Sequence, residues 1–548
     1  MLLALSFALL QESPPAEKKP EPPPRLSIEQ IRAAGETIGL EFTPDQLAQM
    51  RKSVSEQIET YEHLWKLPLD NSVAPAFVFS PLLPGMKVAP PSFQPKPIAL
   101  PDASKLERPA NLEDLAFADI PTLAALVKAR KISCLELTKM YLARLKRLDA
   151  KLHMIVNLTE QRALAQAAER DKELADGKWR GLLHGIPWGA KDLLAVKGAP
   201  TTWGSKIYEH QVIDADATVV KRLDEAGAVL LGKLSLGEFA YGDLWFGGRT
   251  RNPWNPEQGS SGSSAGPAAA TASGCVAFSI GSETLGSIVS PCTRCGATGL
   301  RPTFGRVPRT GSMALSWTMD KLGPICRTVQ DATIVLAAIQ GPDDLDPTAQ
   351  AFPFAPPGEI DVRGWKVGYT AKDFERSPAD QHVLDELKAL GVELVPIELP
   401  ASIPAGDLLV VLTCEAAAAF DELTRDGRDA QMVWQADEAW PNTFRATRLV
   451  PAIEYLRAMR LRTELMREMD KVFQKVDLYV HPSFGGDTLV VANLTGHPTI
   501  CAPSGLDEKT KSPRSIGFTG RLFGETQLAA LAQAWQRSTR FHLAHPSL

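Results

Sequence analysis

The chain has 548 residues, 44 % of them hydrophobic and 22 % charged, with a formal net charge of −5 at pH 7. That balance belongs to a folded globular protein and excludes a disordered or fibrous one. No lysine- or arginine-rich block offers the basic stripe by which proteins neutralise phosphates, so direct nucleic-acid binding is not expected.

The chain opens on MLLALSFALLQ, an apolar run with neither a basic residue ahead of it nor a clear small-residue cleavage site. Export to the periplasm or the cell exterior is one expectation, a cytoplasmic location the other. The following stretch to Arg25 is rich in Pro, Glu and Lys and reads as a linker, so residues 1–25 form a first segment. From Ser27 to Leu67 the chain reads as helical: Ile31, Ile38 and Leu40, then, after Pro44, Leu47, Met50, Val54 and Ile58. Residues 68–109 are Pro-rich and weakly periodic, as an extended arm would be. Residues 26–118 are therefore read as an N-terminal helical extension with an arm.

A main domain is expected over 119–548. Leu123, Leu126 and Val127 mark a short helical face. Ser133 and Glu136 have capping-box spacing ahead of Leu137, Tyr141, Leu142, Leu145 and Leu148, and another helix fits Glu160 to Gly177. GLLHGIPWGAKDLLAV then reads as a buried strand and turn. Beyond it helix and strand patterns alternate: ADATVVKRLDEAG before AGAVLLGK, and GWKVGYT before HVLDELKALG and VELVPIEL. This alternation predicts an α/β fold, one large domain with a mixed sheet flanked by helices. No later segment has the ~20 apolar residues that span a bilayer. The seven cysteines are odd in number and irregularly spaced, so no disulfide framework is expected. Cys292 and Cys295 form one CxxC without the second ligand pair of a zinc site. No metal and no cofactor are expected.

One stretch departs from ordinary composition. Residues Gln258 to Arg309 read QGSSGSSAGPAAATASGCVAFSIGSETLGSIVSPCTRCGATGLRPTFGRVPR, small residues around an apolar centre. A flexible linker would not enclose AAATASGCVAFSI, which needs burial; tight turns with close backbone approach fit better. Here the chain resembles the amidase signature family. The resemblance rests on Gly262–Ser264, TLGS ending at Ser287, CGATGLRPT from Cys295, the upstream GIPWGAKD, and the downstream blocks LGPICRTVQD and ANLTGHPTICAPSG. It covers roughly Asp119 to Phe541.

The resemblance implies a Ser–cis-Ser–Lys triad. Lys191 matches its base, Ser263 the serine after a cis peptide bond, and Ser287 the nucleophile. It also implies an oxyanion turn of backbone N–H groups at Thr284, Leu285, Gly286 and Ser287, where Leu285 replaces a usual glycine and leaves substrate size open. Elementary chemistry agrees. A serine hydroxyl needs an adjacent base, and a lysine serves only when burial keeps it neutral. Ile186, Pro187, Trp188, Leu193 and Leu194 around Lys191 suit that. Ser264 is expected to orient Ser263 or the substrate, Asp192 to pair with nearby backbone, and Glu283 to stabilise the turn. Trp245 and Phe246 are candidates for the acyl pocket.

Three other readings compete. Gly262-Ser263-Ser264-Ala265-Gly266 matches a nucleophile elbow with Ser264 as nucleophile, but TRNPWNPEQGSS ahead of it reads as strand-free, and an elbow needs a strand and a histidine such as His497. The glutaminase component of a glutamyl-tRNA amidotransferase belongs to the same family. A non-enzymatic descendant would be expected to lose Lys191 or a serine, and all three remain. The expected function is hydrolysis of a small-molecule carboxylic amide through an acyl-enzyme, with a homo-oligomer left open.

Overall fold

A computed structural model describes residues 25–548; the apolar run and nearly all of the linker lie outside the described residues. The chain divides into two compact units at Asp70/Asn71. In the first, α1 (Ile28–Thr37) and α2 (Pro44–Leu64) both start at a capping box, Ser27 with Gln30 and Thr43 with Gln46. Each box satisfies two N–H groups that a helix start leaves unpaired. Pro44 takes the first helical position, where its missing N–H is no loss, and the helical spacing restarts there.

The second unit begins with the Pro-rich arm. Beyond the short turn Ala103–Lys105 and a second at Leu112–Leu115, the arm has no regular element and is held by side chains. Asn71 exchanges two hydrogen bonds with the main chain of Ala314, at 3.0 and 2.8 Å. Phe79 meets Phe304 edge-on at 5.1 Å, and Phe93 stacks on Trp365 at 5.7 Å.

Eleven strands form one sheet: β1 (Ile155–Leu158), β2 (Pro187–Lys191), β3 (Val229–Leu234), β4 (Phe278–Glu283), β5 (Thr298–Arg301), β6 (Lys321–Cys326), β7 (Lys366–Thr370), β8 (Glu393–Ile397), β9 (Leu478–Pro482), β10 (Thr499–Leu506) and β11 (Pro513–Gly520). Their order is β1-β3-β2-β4-β6-β5-β10-β11-β9-β7-β8. β2 runs parallel to β3 and β4, and β7 to β8 and β9, while the other pairs are antiparallel, so the sheet is mixed as expected. β2, β3, β4 and β6 are buried at every position, which is why they read as mostly apolar or small-residue runs instead of alternating, each with a single charged residue: Lys191, Lys233, Glu283 and Lys321. The predicted helices form as α3 (Ile120–Lys128), α4 (Cys134–Leu152) with its Ser133/Glu136 box, α5 (Glu160–Ala175) and α6 (Thr218–Glu225). α7 (Ala265–Ala272) and α8 (Val289–Cys295) follow in the small-residue stretch.

One local expectation fails. The stretch read as strand-free contains Arg251–Asn252 and Asn255–Gly259, paired antiparallel in a two-stranded sheet apart from the main one. Asn252 Oδ1 accepts from Trp254 N–H at 3.0 Å, and Trp254 Nε1 donates to Cys295 C=O at 2.8 Å. Side chains hold this turn, and Asn255–Gly259 has no buried position, so no apolar alternation marks it.

Beside the small-residue stretch lies a buried ion pair. Lys233 Nζ, on β3, is 2.7 Å from Asp192 Oδ1, just past β2, and both side chains are fully buried. Thr202 N–H donates to Asp192 Oδ2 at 2.9 Å, and Lys233 Nζ donates to Thr201 Oγ1 at 2.9 Å. Asp192 thus pairs with backbone as expected, and with a lysine besides. Removing one partner strands a buried charge, at a cost of about 3–5 kcal/mol, whereas removing both does not. Lys233→Met is expected to lose that much stability in urea unfolding, and the double variant Asp192→Leu/Lys233→Met to lose less.

Candidate active site

Lys191 is the last residue of β2 and is fully buried. Its Nζ lies 2.8 Å from Ser263 Oγ, 2.9 Å from Ser282 Oγ, 3.1 Å from Ser264 Oγ and 3.4 Å from Ser282 C=O. Burial holds the amine well below the usual lysine range, against the opposing pull of Asp320 and Glu283. The environment offers this nitrogen hydroxyl groups, which donate or accept, and no carboxylate in contact.

Those serines arrive from two elements. The peptide between Gly262 and Ser263 is cis. Gly262 is packed so closely on the main chain that a Cβ there would lie 1.7 Å from Gly242 O, so only glycine fits. Ser264 caps α7; its Oγ donates to Ser282 C=O at 3.0 Å and accepts from Ser282 N–H at 3.2 Å. Ser282 sits on β4, beside β2 in the sheet. Sequence reading missed it. Its one signal is strand alternation, which puts Ser282 and Thr284 on the opposite face from Glu283.

β4 ends at Glu283, and the chain then turns through Thr284, Leu285, Gly286 and Ser287 into α8. Glu283 Oε2 accepts from the N–H groups of Ile288 and Val289 at 2.8 and 2.9 Å. Its Oε1 accepts from Arg301 Nη1 and Asn493 Nδ2, both at 2.8 Å. Burial alone would raise this carboxyl, but Arg301 and the amide donors outweigh it and hold it down to about 2. Thr284 Oγ1 donates to Asp320 Oδ1 at 2.6 Å. Gly286 has φ +78°, a left-handed conformation that glycine adopts without strain. Leu285, where glycine is usual, packs half-buried against the core.

Ser287 retains 8 % exposure. Its C=O accepts from Ser264 N–H at 3.1 Å, so the main chain ties it to the cis-serine loop. Its hydroxyl makes no hydrogen bond within the described residues, Ser263 included. Lys191, Ser263 and Ser264 thus form one hydrogen-bonded group with Ser282; Ser287 joins it through backbone, at the end of the Thr284–Ser287 turn. A cavity of about 290 Å³ reaches Ser282, Thr284 and Asp320 from one side, with Leu193, Met313 and Trp317 among its apolar walls. Trp245 and Phe246 pack on each other at 5.0 Å and do not line it.

Ser264 Oγ has no histidine partner, and the paired strands before it stand outside the main sheet. His497 is buried, held down to about 3 by burial and Arg301, and bonded to Thr495 Oγ1 at 2.7 Å. Neither feature of an elbow is met. Cys292 and Cys295 are free and buried, their thiols pushed up by desolvation. Among the described residues no group of three or more His, Cys, Asp or Glu is placed to hold a metal ion, and no helix is long and apolar enough to cross a membrane.

The family model described as Amidase matches residues 136–489. A glutamyl-tRNA(Gln) amidotransferase subunit of Thermosynechococcus vestitus is 33 % identical over 468 residues, covering 76 % of this chain and 97 % of that protein. The structure of native peptide amidase from Stenotrophomonas maltophilia matches with a TM-score of 0.71 at 29 % identity, over 79 % of this chain and 99 % of its own. The corresponding glutamyl-tRNA(Gln) amidotransferase subunit from Thermotoga maritima matches with a TM-score of 0.62 at 27 % identity, over 75 % and 95 %. With its family motifs gathered around one buried lysine, the chain belongs to the amidase family and is an enzyme of amide carbon–nitrogen bonds.

Proposed function

We propose that this enzyme hydrolyses a carboxylic amide to acid and amine through an acyl-enzyme on Ser287, with Lys191 as base and Ser263 as proton carrier. The observation that supports it is the 2.8 Å contact between a fully buried Lys191 Nζ and Ser263 Oγ. A neutral amine there takes the Ser263 proton while Ser263 takes that of Ser287. Ser287 Oγ then bonds to the amide carbon. N–H groups of the Thr284–Ser287 turn stabilise the oxyanion, each worth roughly 3–4 kcal/mol. As the carbon–nitrogen bond breaks, the proton returns through Ser263 to the leaving nitrogen. Water, deprotonated by the same route, attacks the ester carbon; the carbon–Oγ bond breaks, Ser287 recovers its proton through Ser263, and the acid leaves. Ser264 and Ser282 hold the amine in place; the cavity beside Ser282 and Thr284 receives part of the substrate.

One observation favours a second reading. Curated relatives matched over 97–100 % of their length include glutamyl-tRNA(Gln) amidotransferase subunits, at 32–33 % identity. On that reading glutamine is the amide and a partner protein consumes the ammonia. The sequence comparisons thus lean to this second reading, while the fold match to peptide amidase, 0.71 against 0.62, supports hydrolysis of a free amide.

Treatment with a fluorophosphonate is expected to place one adduct on Ser287, and Lys191→Ala to slow its formation by at least a hundredfold; an adduct on Ser264 overturns the mechanism. The pH profile follows from the lowered Lys191 pKa. Below its folded-state value the ammonium cannot accept a proton, so kcat/KM falls as pH falls through that value and levels above it, at a pH below the ordinary 10.5. A profile still rising at pH 10.5 contradicts a desolvated base. Ammonia release from glutamine separates the two readings. Hydrolysis of other primary amides by the isolated chain supports the first, and glutaminase activity seen only with added amidotransferase partner proteins supports the second.

A further inference from the structure

The loop ahead of the cis-serine carries an aromatic residue, Tyr241, that the proposed chemistry does not use. Phe239 and Ala240 have φ of +48° and +61°, two successive non-glycine residues in the left-handed region that L side chains rarely adopt. They turn the chain so that Tyr241 stands 37 % exposed. Left-handed non-glycine residues persist where the surroundings force them, and they cluster at ligand contacts. The surroundings here are specific. Trp440 Nε1 donates to Phe239 C=O at 3.0 Å, and Glu238 Oε2 accepts from Val433 N–H at 2.7 Å. These bonds bring in a second segment, whose half-buried Trp434 stacks on Tyr241 with ring centroids 5.4 Å apart and planes 16° apart. Trp440 lies 5.1 Å from the same tyrosine.

Three contacts made by the neighbours of Tyr241 tie its loop to the reacting groups. Gly242, the next residue, is packed against Gly262, which precedes Ser263. Asp243 Oδ2 accepts from Ser261 N–H at 3.0 Å, and Ser261 Oγ is 2.7 Å from Ser290 Oγ, three residues past Ser287. Ala240, just before Tyr241, lines the cavity that Ser282 and Thr284 line. A partly exposed ring held between two tryptophans has little freedom left to lose, which favours contact with another planar ring over a flexible chain.

We propose that Tyr241, supported by Trp434, is a specificity-determining residue that stacks on a planar aromatic group of the substrate, so that the preferred substrates are amides bearing an aromatic ring near the scissile bond. The proposal rests on the acyl-enzyme reading of Ser287.

Protection of Ser287 from fluorophosphonate tests it without requiring turnover. The concentrations of phenylacetamide and of hexanamide that halve the labelling rate are compared in the wild-type chain and in Tyr241→Ala, Trp434→Ala and Tyr241→Phe. Phenylacetamide is expected to protect at the lower concentration. That advantage should fall about tenfold in Tyr241→Ala, fall in Trp434→Ala, and persist in Tyr241→Phe. Labelling of Ser287 in each variant shows that the site has folded. Equal protection by the two amides in the wild type, no protection by either, or an advantage unchanged in Tyr241→Ala overturns the aromatic subsite alone. A wild-type chain that takes no label on Ser287 overturns the acyl-enzyme reading beneath it.

Discussion

The constraint on which the rest of the structure depends is the removal of one lysine nitrogen from water. A desolvated ammonium is costly, so the group settles toward its neutral form, and even a neutral amine needs hydrogen-bond partners. Lys191 finds three hydroxyls and a carbonyl within 3.4 Å. To bring them there, the cis-serine loop, α7 and β4 must all approach the end of β2. Large side chains would keep them apart, which explains the odd composition of the region. α7 is AGPAAATA and wholly buried, and a Cβ on Gly266 would lie 2.5 Å from Ser235 N. What looks like a low-complexity stretch is the result of tight main-chain packing.

A second consequence concerns the turn that ends at Ser287. In the proposed mechanism its N–H groups act as oxyanion donors, which requires their direction to be fixed before the charge appears. The Glu283 carboxylate braces the turn from both sides, with both oxygens committed: one to the N–H groups of Ile288 and Val289 just beyond it, the other to Arg301 and Asn493. Arg301 in turn binds His497 C=O and Thr499 Oγ1, at 2.7 and 2.6 Å. β4, β5, the Asn493 helix and the start of β10 thus all hold one four-residue turn.

The sequence made much of this legible, for reasons that differ by residue. Lys191, Ser263, Ser264 and the Thr284–Ser287 turn stood out because short motifs carried them, and β2 and β3 because short, largely apolar runs mark them, whereas β4 and β6 were not read as strands. Glu283 was legible as a turn stabiliser from its place before the turn, though not its debt to Arg301 and Asn493. Ser282 was hidden: a serine among Ser, Gly and Thr carries no mark of its own, and only the sheet shows that it faces β2's lysine. Lys233 was hidden because it lies far along the chain from Asp192, and sequence alone gives no reason to join them. The Arg251–Asn252 hairpin was missed because its one fully buried strand residue is the polar Asn252, so no apolar alternation marks it. Trp245 and Phe246 drew notice as aromatics, whereas the stack on Tyr241 comes from Trp434, nearly two hundred residues downstream.

That last separation bears on how such enzymes diversify. Lys191, its serine partners and the turn to Ser287 lie between β2 and the start of α8, with outside support from Arg301, Asp320 and Asn493. Trp434 and Trp440 belong to the long excursion between β6 and β9, which also builds β7 and the edge strand β8. Tyr241, the ring proposed to meet the substrate, lies within the β2–α8 stretch itself, and only its supports Trp434 and Trp440 come from the excursion. On that proposal, a change of Trp434 or Trp440 alters how Tyr241 is held without touching any hydrogen-bond partner of Lys191.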